Sequence, residues 1–117
     1  MNITGRPPYS KGAKPIVSKP LRDAAKGATC TLRIPGVCLG TTETVVGCHL
    51  RLFSAAGMAQ KPHDLFMVDA CAACHAKLDN RASWDDVALG WDDVLRALME
   101  TQSRRIAAGL IRTDQVE

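Results

Sequence analysis

Cys30-Thr31-Leu32-Arg33-Ile34-Pro35-Gly36-Val37-Cys38 and Cys71-Ala72-Ala73-Cys74-His75 are the two stretches on which the fold turns. The first has a turn signal, Pro35-Gly36, between its cysteines. The second is a Cys-x-x-Cys pair, tight enough for two ligands to approach one metal from a single turn. Four thiolates in two pairs, joined by a long insert, suit a tetrahedral structural zinc, although the first pair is wider than the usual two to four intervening residues. Buried free cysteines or disulfides are the competing readings. No apolar stretch precedes Leu21, so no export signal is expected and disulfides are disfavoured. The fifth cysteine, Cys48, reads as a small buried hydrophobe.

Outward from the cysteines, Thr44, Val45 and Val46 are β-branched and lead into Cys48-His49-Leu50. Residues 54–64 read as a loop, and Leu65 to Val68 as the return strand of a hairpin. Ala72 to Leu78 is a good helix former, with Cys71 and Cys74 across its first turn. Leu21 to Lys26 predicts a short helix opening after Pro20 and stopped by Gly27. The last third is helical: Ser83 with Asp86 fits a cap, and Val87, Trp91, Leu95, Leu98 and Ile106 recur at helical spacing as a core stripe, with a break near Gly90.

At 117 residues the chain is one domain's length, and 46% hydrophobic residues are enough to fold it. Aromatic residues are few, so the core must be mostly aliphatic. No apolar run approaches the roughly 18 residues of a membrane span, which predicts a cytoplasmic protein with no membrane partner. The net charge of +3 is unevenly spread: residues 1–33 hold seven basic residues and one acid, residues 84–117 seven acids and four arginines. Residues 1–20, rich in Gly, Pro, Ser and Lys, read as a flexible basic arm ahead of a single domain over 21–117, in which 83–112 form a helical cap. Such asymmetry suits contact with a polyanion, or a basic tail that only aids solubility.

Cys71-Ala72-Ala73-Cys74-His75 also matches the c-type haem attachment pattern, with Met58 or Met67 as a possible axial ligand. That reading leaves Cys30 and Cys38 without a role. Each histidine has a bland reading: His63 beside Pro62 as an exposed loop residue, His49 at a strand end, His75 as a packing residue. Taken together, His49 on the hairpin and His75 directly after the last cysteine, with Asp79 one helical turn on, are a more specific pattern.

This arrangement resembles the HNH, or His-Me finger, nucleases, and most closely the YbcO-like prophage nuclease family. The resemblance rests on Leu21-Arg22, the Cys30–Cys38 knuckle, Cys48-His49-Leu50-Arg51, Lys61-Pro62-His63-Asp64-Leu65, Ala70 to His75, and Asp79-Asn80-Arg81. It implies an α+β fold: a small zinc-stapled ββα-metal core with a C-terminal helical region. It implies hydrolysis of DNA phosphodiester bonds, with His49 as the base that activates water and His75, with Asp79, as ligands of a catalytic divalent cation such as magnesium or manganese. Asp64 falls where the family has an Asn that braces the loop, and Cys48 where it often has a metal-binding Asp or His. Arg51, Lys77 and Arg81 would hold phosphates. A zinc-stabilised nucleic-acid-binding module without catalysis is the alternative.

Overall fold

The computed structural model describes residues 15–50 and 63–113. Of the proposed basic arm it therefore describes only residues 15–20. Helix α1 is Lys19–Asp23, two residues earlier than the sequence predicts. The Ser18 hydroxyl accepts from the Leu21 N–H at 3.3 Å, and Pro20 stands where a first-turn proline costs no hydrogen bond. This short helix buries Leu21 and packs on the first strand.

Strands β1, Val46–His49, and β2, Met67–Ala70, form an antiparallel pair with Val46 opposite Ala70 and His49 opposite Met67. The return strand starts later than Leu65 because residues 63–66 close a turn, in which the Phe66 N–H donates to the His63 carbonyl. Gly47 lets Met67 pack close: a Cβ would stand 2.9 Å from the Met67 sulfur, so that side chain would have to shift. Ahead of the hairpin, the Cys30–Cys38 knuckle turns at Pro35-Gly36. Val37 and Cys38 both donate to the Ile34 carbonyl, and Gly36 takes φ +75°, the conformation a turn of this kind reserves for glycine.

Helix α2, Ala72–Asp79, follows β2 directly. Cys71 is its N-cap without a side-chain cap bond, and the Thr44 hydroxyl supplies one from outside by accepting from the Ala72 N–H at 3.0 Å. Cys74 and Leu78 lie on its buried face. Two 3₁₀ turns, Arg81–Ser83 and Asp85–Val87, lead to helix α3, Trp91–Ala107. Ser83 donates to the Asn80 carbonyl and is not a helix cap. The break falls at Gly90, whose N–H donates to Asp93 at the start of α3.

The core joins Cys30, Leu32 and Ile34 of the knuckle to Cys48, Val68, Leu78, Trp84 and Val94. The face α3 turns inward is only in part the apolar stripe expected: Leu98, and Val87 ahead of the helix, pack against the core. Val94, Ala97, Thr101 and Arg105 are buried, whereas Trp91, Leu95 and Ile106 are exposed by 44%, 57% and 58%. A buried ion pair fastens this face of the helix. Asp69, fully buried on β2, receives both guanidinium nitrogens of Arg105 at 2.5 and 3.0 Å, and Arg104 at 3.3 Å. Its backbone N–H donates to Thr101, and its carbonyl accepts from the N–H and hydroxyl of Thr31. Arg96 donates to the carbonyls of Thr31 and Leu32, Arg104 to that of Thr29, and Arg33 forks onto Glu100 with two bonds of 3.0 Å. Among the described residues no buried side-chain nitrogen or oxygen lacks a partner.

Removing one member of a buried ion pair leaves the other uncompensated. Asp69→Asn should therefore destabilise the fold by about 3–5 kcal/mol in chemical denaturation, and Asp69→Asn with Arg105→Met should recover part of that loss. A single variant as stable as the wild type would show that apolar contacts alone seat α3.

Candidate functional site

The knuckle delivers Cys30 and Cys38, and the β2–α2 junction delivers Cys71 and Cys74, so that the four sulfurs lie within 4.8 Å of one another. A tetrahedral zinc with sulfurs at about 2.3 Å separates them by about 3.8 Å, so a small contraction seats the ion. The donor set fits: four soft sulfurs, three of them buried, and a closed site of the structural kind. The thiols are not equivalent. Burial works against ionising Cys71, yet the N–H groups of Leu39 and Cys74 and the thiols of Cys74 and Cys38 bring it down to about 7, while burial pushes Cys38 and Cys74 up. The cluster could hold a metal ion such as zinc.

His49 ends β1 and meets Asp64, its Nε2 2.8 Å from Oδ1. The other carboxylate oxygen accepts from Arg22 Nη1 at 2.8 Å and from the Ser18 N–H at 2.7 Å. Burial would raise the Asp64 pKa, but the bonds from Ser18, His49 and Arg22 outweigh it and hold the carboxyl below its usual range. An ionised carboxylate only accepts, so in this contact Nε2 is the donor.

His63 has more of a role than a loop histidine beside proline suggests. Its Nδ1 accepts from the Ile16 N–H at 2.9 Å, and its ring meets Phe66 edge-on at 5.2 Å. With the Asp64 N–H donating to the Ile16 carbonyl, residues 16–18 are strapped beside His49. Nothing in the sequence marked Arg22 and Ser18 as partners of Asp64, 42 and 46 positions away.

His75 and Asp79 pair on the exposed side of α2, Nε2 to Oδ2 at 3.0 Å. Cys48 is fully buried, and its thiol donates to the Val46 carbonyl. Burial first, then the nearby Asp79 charge, push it up to about 12, so it stays protonated. Lys77 is half-buried on α2, and Arg81 is exposed just past its end. Arg51 and Met58 lie outside the described residues. Met67 is buried opposite His49, its sulfur against Gly47.

Two measurements check this geometry. Elemental analysis should find one zinc per chain, and stripping it should unfold the knuckle and α2 together, since the ion closes the loop between them; a metal-free protein with intact tertiary structure would refute the assignment. The Asp64 bonds stabilise the fold above the ordinary carboxylate range, and that contribution is lost as pH falls through the lowered native pKa. The Ser18 amide resonance should therefore titrate with a midpoint below about 3.9, and a midpoint at or above it would mean the strap is not held by Asp64.

Comparison with known proteins agrees with this architecture. The family model described as "Putative nuclease YbcO" matches residues 19–110. "Putative nuclease YbcO" of Escherichia coli (strain K12) is 40% identical over 92 residues, which cover 79% of this chain and 96% of that protein. "Putative nuclease ybcO" of Enterobacteria phage 82 is similar to the same extent. A solved structure, titled "Structure of a putative bacteriophage protein from Escherichia coli str. K-12 substr. MG1655", superposes with a TM-score of 0.62 at 38% identity, covering 77% of this chain and 100% of that one. The chain belongs to the YbcO family of putative nucleases.

Proposed function

We propose that this protein is a metal-dependent endonuclease that hydrolyses DNA phosphodiester bonds through an HNH, or His-Me finger, arrangement. The carrying observation is the hydrogen-bonded chain from Arg22 through Asp64 to His49. It resembles the acid–histidine half of a catalytic triad, in which a carboxylate fixes the imidazole's tautomer and stabilises its charged form. Family membership and the phage relative support the same reading.

His49 would take a proton from water at Nδ1, and Asp64 would stabilise the resulting imidazolium across Nε2. Arg22 and the Ser18 N–H keep Asp64 ionised and in place. His75 and Asp79 offer a nitrogen and an oxygen on a solvent-facing helix side, a donor pair suited to a divalent cation. Bound there, magnesium or manganese would polarise the phosphate and stabilise the leaving oxygen. Lys77 and Arg81, on and just after the same helix, would hold the phosphate backbone.

One observation favours a nucleic-acid-binding module without catalysis. Position 48 carries a neutral buried thiol where the family often has a hard-metal ligand, which leaves the cation fewer protein ligands.

His49→Ala should lower cleavage by about 10²–10⁴-fold and leave zinc content and DNA affinity close to wild type. His75→Ala should lose cleavage together with magnesium or manganese binding. Cleavage by His49→Ala at the wild-type rate would remove His49 as the base. A wild-type protein that binds DNA but cuts no single-stranded, duplex or branched substrate with either metal would establish the binding module instead.

A further inference from the structure

Arg22, Arg33, Arg96, Arg104 and Arg105 each reach a carboxylate. Arg81 reaches none among the described residues. Its guanidinium lies over two indole rings instead, 4.3 Å from the centroid of Trp84 and 5.0 Å from that of Trp91. The rings themselves meet edge-to-face at 4.8 Å. Trp84 is buried and anchored, its Nε1 donating to the Leu78 carbonyl at the end of α2. Trp91 is different: it opens α3, is 44% exposed, and contributes to a face of that helix which the core does not use.

Two physical consequences follow. A guanidinium held over aromatic faces, with no carboxylate partner among the described residues, has N–H groups available to phosphate oxygens. An exposed indole beside such a cation meets the two requirements of single-strand recognition, a π-face for a base and a charge for the adjoining backbone. A duplex offers the phosphates but keeps its bases stacked on one another. We infer that Trp91 is a stacking platform for an unpaired nucleobase, with Arg81 holding the neighbouring phosphate, so that the strand bound at this end of α2 is single-stranded DNA. The inference rests on the nucleic-acid reading above and narrows it. Arg81 follows Asp79 by two residues, which places the phosphate-holding cation next to the His75–Asp79 pair along the chain. Trp91 itself has no role in holding zinc or in the His49–Asp64 contact.

The test is binding without added magnesium or manganese, so that turnover is not needed. A labelled thymidine strand of about 12 nucleotides, a strand of the same length built of abasic sites, and a duplex are titrated by fluorescence anisotropy against wild type, Trp91→Ala, Trp91→Leu, Trp91→Phe and Arg81→Ala. Trp91→Ala and Trp91→Leu should weaken binding of the thymidine strand about 5- to 150-fold. Trp91→Phe should stay close to wild type. None of the three should alter affinity for the abasic strand or the duplex. Arg81→Ala should weaken both single strands and reduce the logarithmic salt slope by about 0.7, one phosphate's worth.

Trp91→Leu keeps apolar bulk at the head of α3, so a folding defect in Trp91→Ala does not decide the matter. Wild-type affinity in Trp91→Leu overturns the platform. Equal losses on the thymidine and abasic strands also overturn it, because the residue would then act through the fold. In either case the nuclease and binding-module readings survive. A wild-type protein that binds none of the three ligands overturns those readings together with the platform.

Discussion

Cys30 and Cys38 belong to the knuckle, Cys71 and Cys74 to the start of α2, and their sulfurs converge only if the chain between Cys38 and Cys71, 33 positions apart, closes on itself. Closing a loop of that length costs the unfolded chain on the order of 3–4 kcal/mol of entropy once it is cross-linked, a saving for the fold of the same size. The elements inside the loop need that help. Two strands of four residues are marginal alone in water. A metal held by the four sulfurs would close the loop and fix β2 to α2 at one junction. His49 stands at the far end of the hairpin from this junction, opposite Met67. Its position is therefore set by a second constraint, the strap of residues 16–18 bound to His63 and Asp64.

A third constraint, independent of the metal, comes from α3. Asp69 sits on β2 two residues before Cys71, and Arg105 and Arg104 reach it from the helix. Arg96, Arg104 and the Arg33–Glu100 fork then bind the helix to residues 29–33 of the knuckle. The same short stretch is thus held by sulfur on one side and by guanidinium on the other. Arg33 adopts a left-handed backbone, φ 45°, in the middle of it. A non-glycine residue there carries a cost of order 1–2 kcal/mol, which the two bonds to Glu100 and the bond to the Cys30 carbonyl offset.

The parts of this architecture legible in the sequence were those with local signatures. Cysteine spacing marked the four-sulfur cluster, β-branched residues before Cys48 marked the hairpin, and Gly90 marked the break before α3. The face of α3 was not legible. Trp91, Leu95 and Ile106 follow helical spacing, but periodicity reports where apolar residues lie and not which side the core selects. Here the choice fell to Asp69, a buried acid whose partners are more than 30 positions away, and neither its burial nor its pairing leaves a local trace. The same limit applied at the candidate site. His49, Asp64 and His75 could be named from their motifs, whereas the contacts that Arg22, Ser18 and His63 make became visible only in the structure. The resemblance placed Asp64 where an Asn usually stands and could not say what the added charge does.

That charge changes the chemistry available to His49. A neutral amide can accept from either protonated nitrogen of an imidazole and can also donate to it, so it selects a tautomer weakly. An ionised carboxylate only accepts, and Asp64 is kept ionised by Arg22 and Ser18 despite its burial. His49 Nε2 is then the donor in this contact. The Cys48 thiol, protonated up to about 12, adds no negative charge near Asp79, whereas the loop position that meets His49 carries an ionised carboxylate. Under the proposed mechanism the arginine-bound Asp64 would contribute to the rate by fixing the His49 ring and stabilising its charged form.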